Sequence, residues 1–418
     1  MFKSNLVRLG AFFLVLPLFA LLVYRLPAVN TRLSWRIDVA MTYLRNVVNP
    51  VGSMPTPLPQ PGIAITIYPT ATPTGDAEVH ETHTPTAGPT PTSTPTPTAI
   101  PGAVQLASPA WEKQTPNNCG PATLSLYLKT FGWEGDQEDI SALLKPQTDD
   151  RNVNVEELVY YVRNQAGWLN AEFRVGGDIH LLKSLLAAGI PLMIEEGFLL
   201  DTSYWPDDDR WAGHYLLLTG YDDNNRTFIA QDTFLGADRQ VAYSAVEQNW
   251  QAFNYVYILL FRPDQEETVK ALLGDNWDPD LNRQHALEKA QAETQSQANN
   301  AFAWFNLGSN LVYFERYNEA ARAYDTARQL GLPQRMLRYQ FGPFFAYFFS
   351  GRNEDLLALV EYALQRTPNS EEALLWRGWG RYRAGKTRDA IADFQTALQE
   401  NPFYQDAQYA LDFVTANP

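Results

Sequence analysis

The 418 residues contain a single cysteine, Cys119, in the run Gln114-Thr115-Pro116-Asn117-Asn118-Cys119-Gly120-Pro121-Ala122-Thr123. A lone thiol is either an inert core group or a nucleophile, and its neighbours decide which. Thiols attack as thiolates, and a helix N-terminus supplies the partial positive charge that favours that form. The run fits such a placement, because glycine lets a substrate approach the backbone and proline is tolerated in a first turn. Leu124, Tyr127 and Leu128 follow at the spacing that anchors one helix face in a core. One cysteine also excludes an internal disulfide and the multi-cysteine zinc patterns.

A nucleophilic thiol needs a base that titrates near neutrality, which points to histidine. Of five histidines, His80 and His83 lie in a Pro/Thr-rich stretch, His285 lies beyond the α/β region, and His180 sits near the start of a surface helix. His214 opens the apolar strand Gly213-His214-Tyr215-Leu216-Leu217-Leu218-Thr219-Gly220-Tyr221 and is the expected base. Asp232 ends the strand paired to it through a hairpin and can orient the imidazole. Gln114, with the Cys119 backbone N–H, is placed to donate to an oxyanion. This chemistry calls for no metal and no cofactor. His80-Glu81-Thr82-His83 lacks the His-Glu-x-x-His spacing of a zinc helix. Glu195 and Glu196 read as a solvated strand end whose side chains face opposite ways. Asp207-Asp208-Asp209 falls in the loop Leu199 to Ala212 with Tyr204, Trp205 and Trp211, a cleft wall or a self-packed loop.

The elements that must position these groups are predicted from periodicity. After the Cys119 helix, helices are expected over Asp136 to Leu144, Asn154 to Gln165 and Asp178 to Ala188. The second has Asn154 as N-cap, Glu157 at the capping-box position and Gly167 as its stop. Strands follow over Ile190 to Glu195, His214 to Tyr221, Thr227 to Gln231 and Tyr255 to Phe261, with Asp222-Asp223-Asn224-Asn225 as a hairpin turn. Helices first and an antiparallel sheet after is an α+β order.

Taken together, Gln114, Asn118-Cys119-Gly120-Pro121-Ala122, Gly213-His214-Tyr215, Thr219-Gly220-Tyr221-Asp222 and Asp232 resemble the papain-like cysteine peptidases. Within them the similarity is to the bacteriocin leader-processing peptidases and their non-transporter, C39-like relatives, over Gln105 to Phe261. The resemblance implies that Cys119 is nucleophile, His214 base, Asp232 orienting residue and Gln114 oxyanion donor. The chain departs from it in two places: no Gly-x-x-x-x-Gly-Lys-Ser/Thr motif of an exporter ATPase occurs, and Thr233 follows Asp232 where many relatives have proline.

Flanking segments set the context. Leu9 to Tyr24 is an uncharged apolar run between Arg8 and Arg25, extended by Leu6, Val7 and Leu26 if both arginines snorkel towards headgroups. No small-x-small cleavage site follows it, so an uncleaved transmembrane signal anchor is expected. From Met54 to Gly102 the chain is dominated by Pro, Thr, Ser and Ala, the composition of an extended spacer. Such a stalk predicts a soluble portion held outside the cytoplasm.

Beyond the α/β unit, Trp304, Leu307, Gly308, Ala320, Tyr324 and Ala327 resemble the tetratricopeptide pattern, as do Gly378, Ala390, Phe394, Ala397 and Pro402. Between them Leu337 to Pro368 fits loosely, with Phe344 at a small-residue position. Lead-in and closing helices are expected over Asp280 to Asn299 and Phe403 to Val414.

Four segments result: an anchor and juxtamembrane stretch over 1–50, a Pro/Thr-rich linker over 51–103, a peptidase unit over 104–263 and a tetratricopeptide unit over 264–418. A net charge of −15 argues against a nucleic-acid partner. The expected function is a membrane-anchored cysteine peptidase acting on peptides or proteins, with a further protein partner at the repeats. A catalytically silent peptide-binding adaptor and an acyl transferase or amidase remain alternatives, because the same residues serve any acyl-enzyme route.

Overall fold

The computed structural model describes residues 52–59, 100–145, 152–201 and 209–417, with isolated positions between 23 and 48. The expected anchor Leu9 to Tyr24 lies outside the described residues except for Val23 and Tyr24, and so does His80 to His83. Among the described residues, no helix is long and apolar enough to cross a membrane.

Seven antiparallel strands form one sheet: β1 (Ala103–Gln105), β2 (Asn170–Arg174), β3 (Leu192–Leu199), β4 (Trp211–Asp222), β5 (Thr227–Asp232), β6 (Gly236–Ala242) and β7 (Tyr257–Phe261). Their order is β2-β7-β3-β4-β5-β6, and β1 pairs with the far end of β4 through Ala103↔Asp222. The long strand β4 therefore has β3 and β1 along one edge and β5 along the other.

Alternate residues of these strands face opposite sides, and each side takes its own helices. On one side α1 (Cys119–Lys129), α2 (Gln137–Leu144) and α3 (Val155–Gln165) cover Met193, Tyr215, Leu217, Ile258 and Leu260. On the other α4 (Ile179–Ala187), α5 (Tyr243–Trp250) and α6 (Glu266–Leu273) cover Ile194, Leu216, Leu218, Leu259 and Phe261. The starts of α2, α3 and α4 fall where the sequence placed them, each at a capping residue. Asp136 caps α2, the Asn154 N–H donates to Glu157 at 2.8 Å, and the Leu181 N–H donates to Asp178 at 2.7 Å. The expected α+β unit is thus present, and β2, β6, α5 and α6 complete it.

A helical region follows: α7 (Pro279–Ser296), α8 (Ala301–Tyr313), α9 (Tyr317–Leu330), α10 (Met336–Tyr339), α11 (Gly342–Phe349), α12 (Asn353–Arg366), α13 (Glu371–Arg383), α14 (Thr387–Glu400) and α15 (Gln405–Ala416). Helices pack in antiparallel pairs at close approach. A Cβ on Gly308 would lie 2.7 Å from the Tyr324 ring, and one on Gly378 would collide with Phe394. The helix expected from Leu337 begins instead at Gly342, after the short α10.

Where the expected linker is described it is attached. The Leu58 N–H donates to Asp355 at 3.0 Å, Pro55 accepts from Arg328, and Met54 packs on the helical core. At its far end Ala103 joins β1.

Candidate active site

Cys119 is the first residue of α1, as its spacing predicted, and it is half-buried. Leu124, Tyr127 and Leu128 are fully buried, at about 2 kcal/mol of burial each. This helix cannot slide: the Leu260 N–H donates to the Tyr127 hydroxyl at 2.9 Å, and Thr123 donates to the Tyr215 carbonyl at 3.2 Å. The turn before Cys119 is fastened by Gln137 of α2. Its Oε1 accepts from the Thr115 N–H at 2.7 Å and the Asn118 amide at 3.0 Å, and its amide donates to the Lys113 carbonyl at 2.9 Å. Asn117 holds a left-handed φ of 57°, and Lys145 takes its carbonyl at 2.6 Å.

His214 lies on β4 with its ring almost wholly buried, flanked by Phe198 at 5.3 Å and Phe234 at 6.4 Å between centroids. Its Nε2 is 2.9 Å from Asp232 Oδ1, and the Cys119 thiol is near enough to act on the same ring. Burial alone would disfavour the imidazolium. The hydrogen bonds to Asp232 and Cys119, and the negative charge of both, outweigh burial and push His214 up to about 10.

Asp232, at the end of β5, accepts from His214, from the Phe234 and Leu235 N–H groups at 2.9 and 3.0 Å, and from Arg239 Nη1 at 2.7 Å. Burial opposes its charge, yet these donors bring it down to about 2. Gln114 is fixed by the residue after Asp232. Its N–H donates to the Thr233 carbonyl at 2.9 Å, and the Thr233 hydroxyl donates to its Oε1 at 3.0 Å. With the amide oxygen committed to Thr233, the amide NH₂ is turned away from Thr233. The structure thus pairs His214 with Asp232, brings Cys119 near the same ring, and fixes Gln114 to Thr233, the residue after Asp232.

Two residues of this constellation escaped the sequence reading, Gln137 and Arg239, and Thr233 stood there only as a departure from the resemblance. Arg239 sits on β6, a strand whose weak apolar alternation hid it. A correction concerns Glu195 and Glu196. They are not a solvated strand end, because β3 runs on to Leu199 and both are buried. They do face opposite sides, Glu195 beside Tyr215 and Glu196 opposite His214 in the register. Burial raises Glu195 well above the usual carboxylate range and Glu196 to about 7, the latter restrained by the His214 charge and the Asn249 amide. His180 and His285 are exposed and remote from this group. Of the loop before β4, Asp209 is described, and it caps the chain by accepting from the Trp211 N–H at 3.1 Å.

Residues 98–258 match the family model described as Peptidase_C39 like family. That span holds all four residues above and runs from before β1 into β7. No curated protein matches the chain. Among solved structures, one described as a C39-like peptidase from Bacillus anthracis is 18% identical, covering 38% of this chain and 98% of that one, with a TM-score of 0.31. The peptidase domain of Streptococcus ComA, a bi-functional ABC transporter involved in a quorum sensing pathway, is 14% identical over 37% of this chain and 99% of that one, with a TM-score of 0.28. The MamA RS-1 ArsTM double mutant is 14% identical over 32% of this chain and 75% of that one, with a TM-score of 0.30.

Proposed function

We propose that the C39-like unit hydrolyses peptide bonds through an acyl-enzyme on Cys119. The observation that carries this reading is the buried His214–Asp232 pair at 2.9 Å with the half-buried Cys119, first residue of its helix, acting on the same imidazole. The Cys119 thiolate, whose proton His214 already holds, attacks the scissile carbonyl, and the oxyanion accepts from the Gln114 amide and the Cys119 N–H. Collapse expels the amine, protonated by His214, and leaves a thioester. Water, deprotonated by His214, then displaces the sulfur as thiolate, which releases the acid and restores the starting pair of thiolate and imidazolium. Asp232 supports both proton transfers by stabilising the imidazolium, and Arg239 keeps Asp232 ionised.

Replacing Cys119 or His214 with alanine is expected to lower cleavage of a denatured protein substrate by about 1,000-fold or more. Unchanged cleavage in either variant refutes the proposal, and product masses bearing an added acceptor rather than water would assign acyl transfer instead. The helix pairs with glycine against an aromatic ring, Gly308 on Tyr324 and Gly378 on Phe394, support a tetratricopeptide reading of the helical region as a protein-binding array. The apolar run at Leu9 to Tyr24 and the Pro/Thr stretch support anchoring with the peptidase unit outside the cytoplasm. Protease added to intact cells should then degrade the C-terminal region, and protection of that region would overturn the assignment.

A further inference from the structure

Between strand β2 and helices α7 and α8 the peptidase unit and the helical region enclose an open cavity of about 430 Å³. Its charges are unevenly satisfied. Arg163 and Arg174 are both held by Glu172, at 2.7 and 2.9 Å. Asp278 accepts from the Asp280 and Leu281 N–H groups as the cap of α7. Arg283 is different: among the described residues it makes no ion pair, and its polar contact is Asn310 Oδ1 at 3.5 Å, an oxygen already taken by the Asn254 amide at 2.9 Å. Its guanidinium lies 4.9 Å over the Tyr313 ring, with Trp277 and Phe173 also lining the cavity.

A half-buried guanidinium with one long hydrogen bond has donors to spare, and planar bidentate recognition of a carboxylate is what that fork does best. Glu156, exposed on α3, adds a distant negative charge to Arg283 without reaching it as an ion-pair partner. The same Glu156 acts on Glu195, and Val153, three residues earlier, accepts from the Tyr215 hydroxyl at 2.9 Å and would lie 3.5 Å from a Cβ placed on Gly120.

We propose that this cavity binds a carboxylate of the peptide substrate, held by Arg283, with the aromatic wall taking the adjoining apolar group. The proposal rests on the peptidase reading and names its substrate class as an anionic peptide, the carboxylate being either the C-terminus or an acidic side chain. The test uses the full chain carrying Cys119→Ala and three random hexapeptide pools: free C-terminus, amide-capped, and amide-capped with one Glu per peptide. Retention is measured by equilibrium dialysis and mass spectrometry.

Retention of the free-carboxylate pool, the Glu pool or both is expected to exceed that of the amide pool about 10-fold. Which of them is retained identifies the source of the carboxylate. Adding Arg283→Gln should abolish the preference while Arg283→Lys keeps part of it, with thermal unfolding of both variants unchanged. Equal retention of all pools, retention of none, or a preference that survives Arg283→Gln overturns the proposal. Cleavage by the wild-type chain that depends on Cys119 alongside any of those results would leave the peptidase reading standing and remove the cavity from it. A preference dependent on Arg283 without Cys119-dependent cleavage would do the reverse.

Discussion

Thr233 is where the sequence departs from the family resemblance, and its hydroxyl accounts for the departure. By donating to Gln114 Oε1 at 3.0 Å it sets which end of that amide faces away from the strand. Thr233→Val should lower kcat about fivefold with KM little changed, and Thr233→Ser should restore it, since one neutral hydrogen bond contributes about 1 kcal/mol. An equal loss in both variants would assign a packing role instead. Asp232 makes a second prediction at this scale. His214 is raised from 6.5 to about 10, so its contribution to stability is complete below 6.5 and lost as pH climbs through 10. Asp232 is lowered from 3.8 to about 2, so its contribution is complete above 3.8 and lost as pH falls through 2. Asp232→Asn removes the counter-charge, and the alkaline fall in unfolding midpoint should then be smaller and end below pH 10, nearer the ordinary histidine range. Cys119, His214, Asp232 and Gln114 could be named as candidates from the sequence because the chemistry proposed for them is written in residue type and local context. Gln137 and Arg239 could not, since a glutamine or arginine acquires its role only from the loop or strand folded against it.

At the level of elements, caps and apolar periods placed the helices, while the sheet proved harder to delimit. Glu195-Glu196-Gly197 breaks an apolar run and looks like a strand end, yet the ladder with β4 continues to Leu199↔Trp211 and carries both carboxyls inside. Local polarity was overridden by pairing partners that sequence spacing does not show. Strands β2 and β6 were missed for a related reason: Asn170–Arg174 and Gly236–Ala242 carry polar or charged residues at half-buried positions and have weak alternation. The buried Glu196 makes this testable. Its folded value of about 7 lies above 4.5, so the stability it contributes is complete below 4.5 and is lost as pH rises through 7. That loss is at most about 3 kcal/mol by linkage. Glu196→Gln should therefore match wild type at pH 5 and exceed it at pH 8 in urea unfolding. A stability difference that is constant with pH would show that Glu196 does not titrate in this range.

Over the whole molecule, the boundary drawn at 263 from a change of period does not mark a division in packing. One continuous core contains Val175, Trp211, Phe253 and Val256 of the sheet unit together with Phe305, Leu307, Tyr324 and Phe344 of the helices. Trp211, which starts the strand of His214, stacks on Phe253 and Phe302 and meets Tyr339 edge-on at 5.6 Å. A Cβ on Gly213 would come within 2.9 Å of the Tyr339 ring, so α10 lies directly against the backbone that carries the candidate base. Asn254 and Asn310 exchange amide hydrogen bonds across the same seam, and Asn306 donates to the Gln251 carbonyl at 2.8 Å. Tandem repeats on a flexible joint would leave each unit its own core, whereas here removing the helices would bare Trp211 and Phe253. Calorimetry of the full chain should accordingly show the sheet unit and the first helix pairs unfolding in one transition. Tyr339→Ala should destabilise that unit by about 2 kcal/mol, as for a half-buried aromatic, so that its midpoint falls, and should depress Cys119-dependent cleavage as well. Two separate transitions, with cleavage insensitive to Tyr339, would mean that the helices are attached to the site without supporting it.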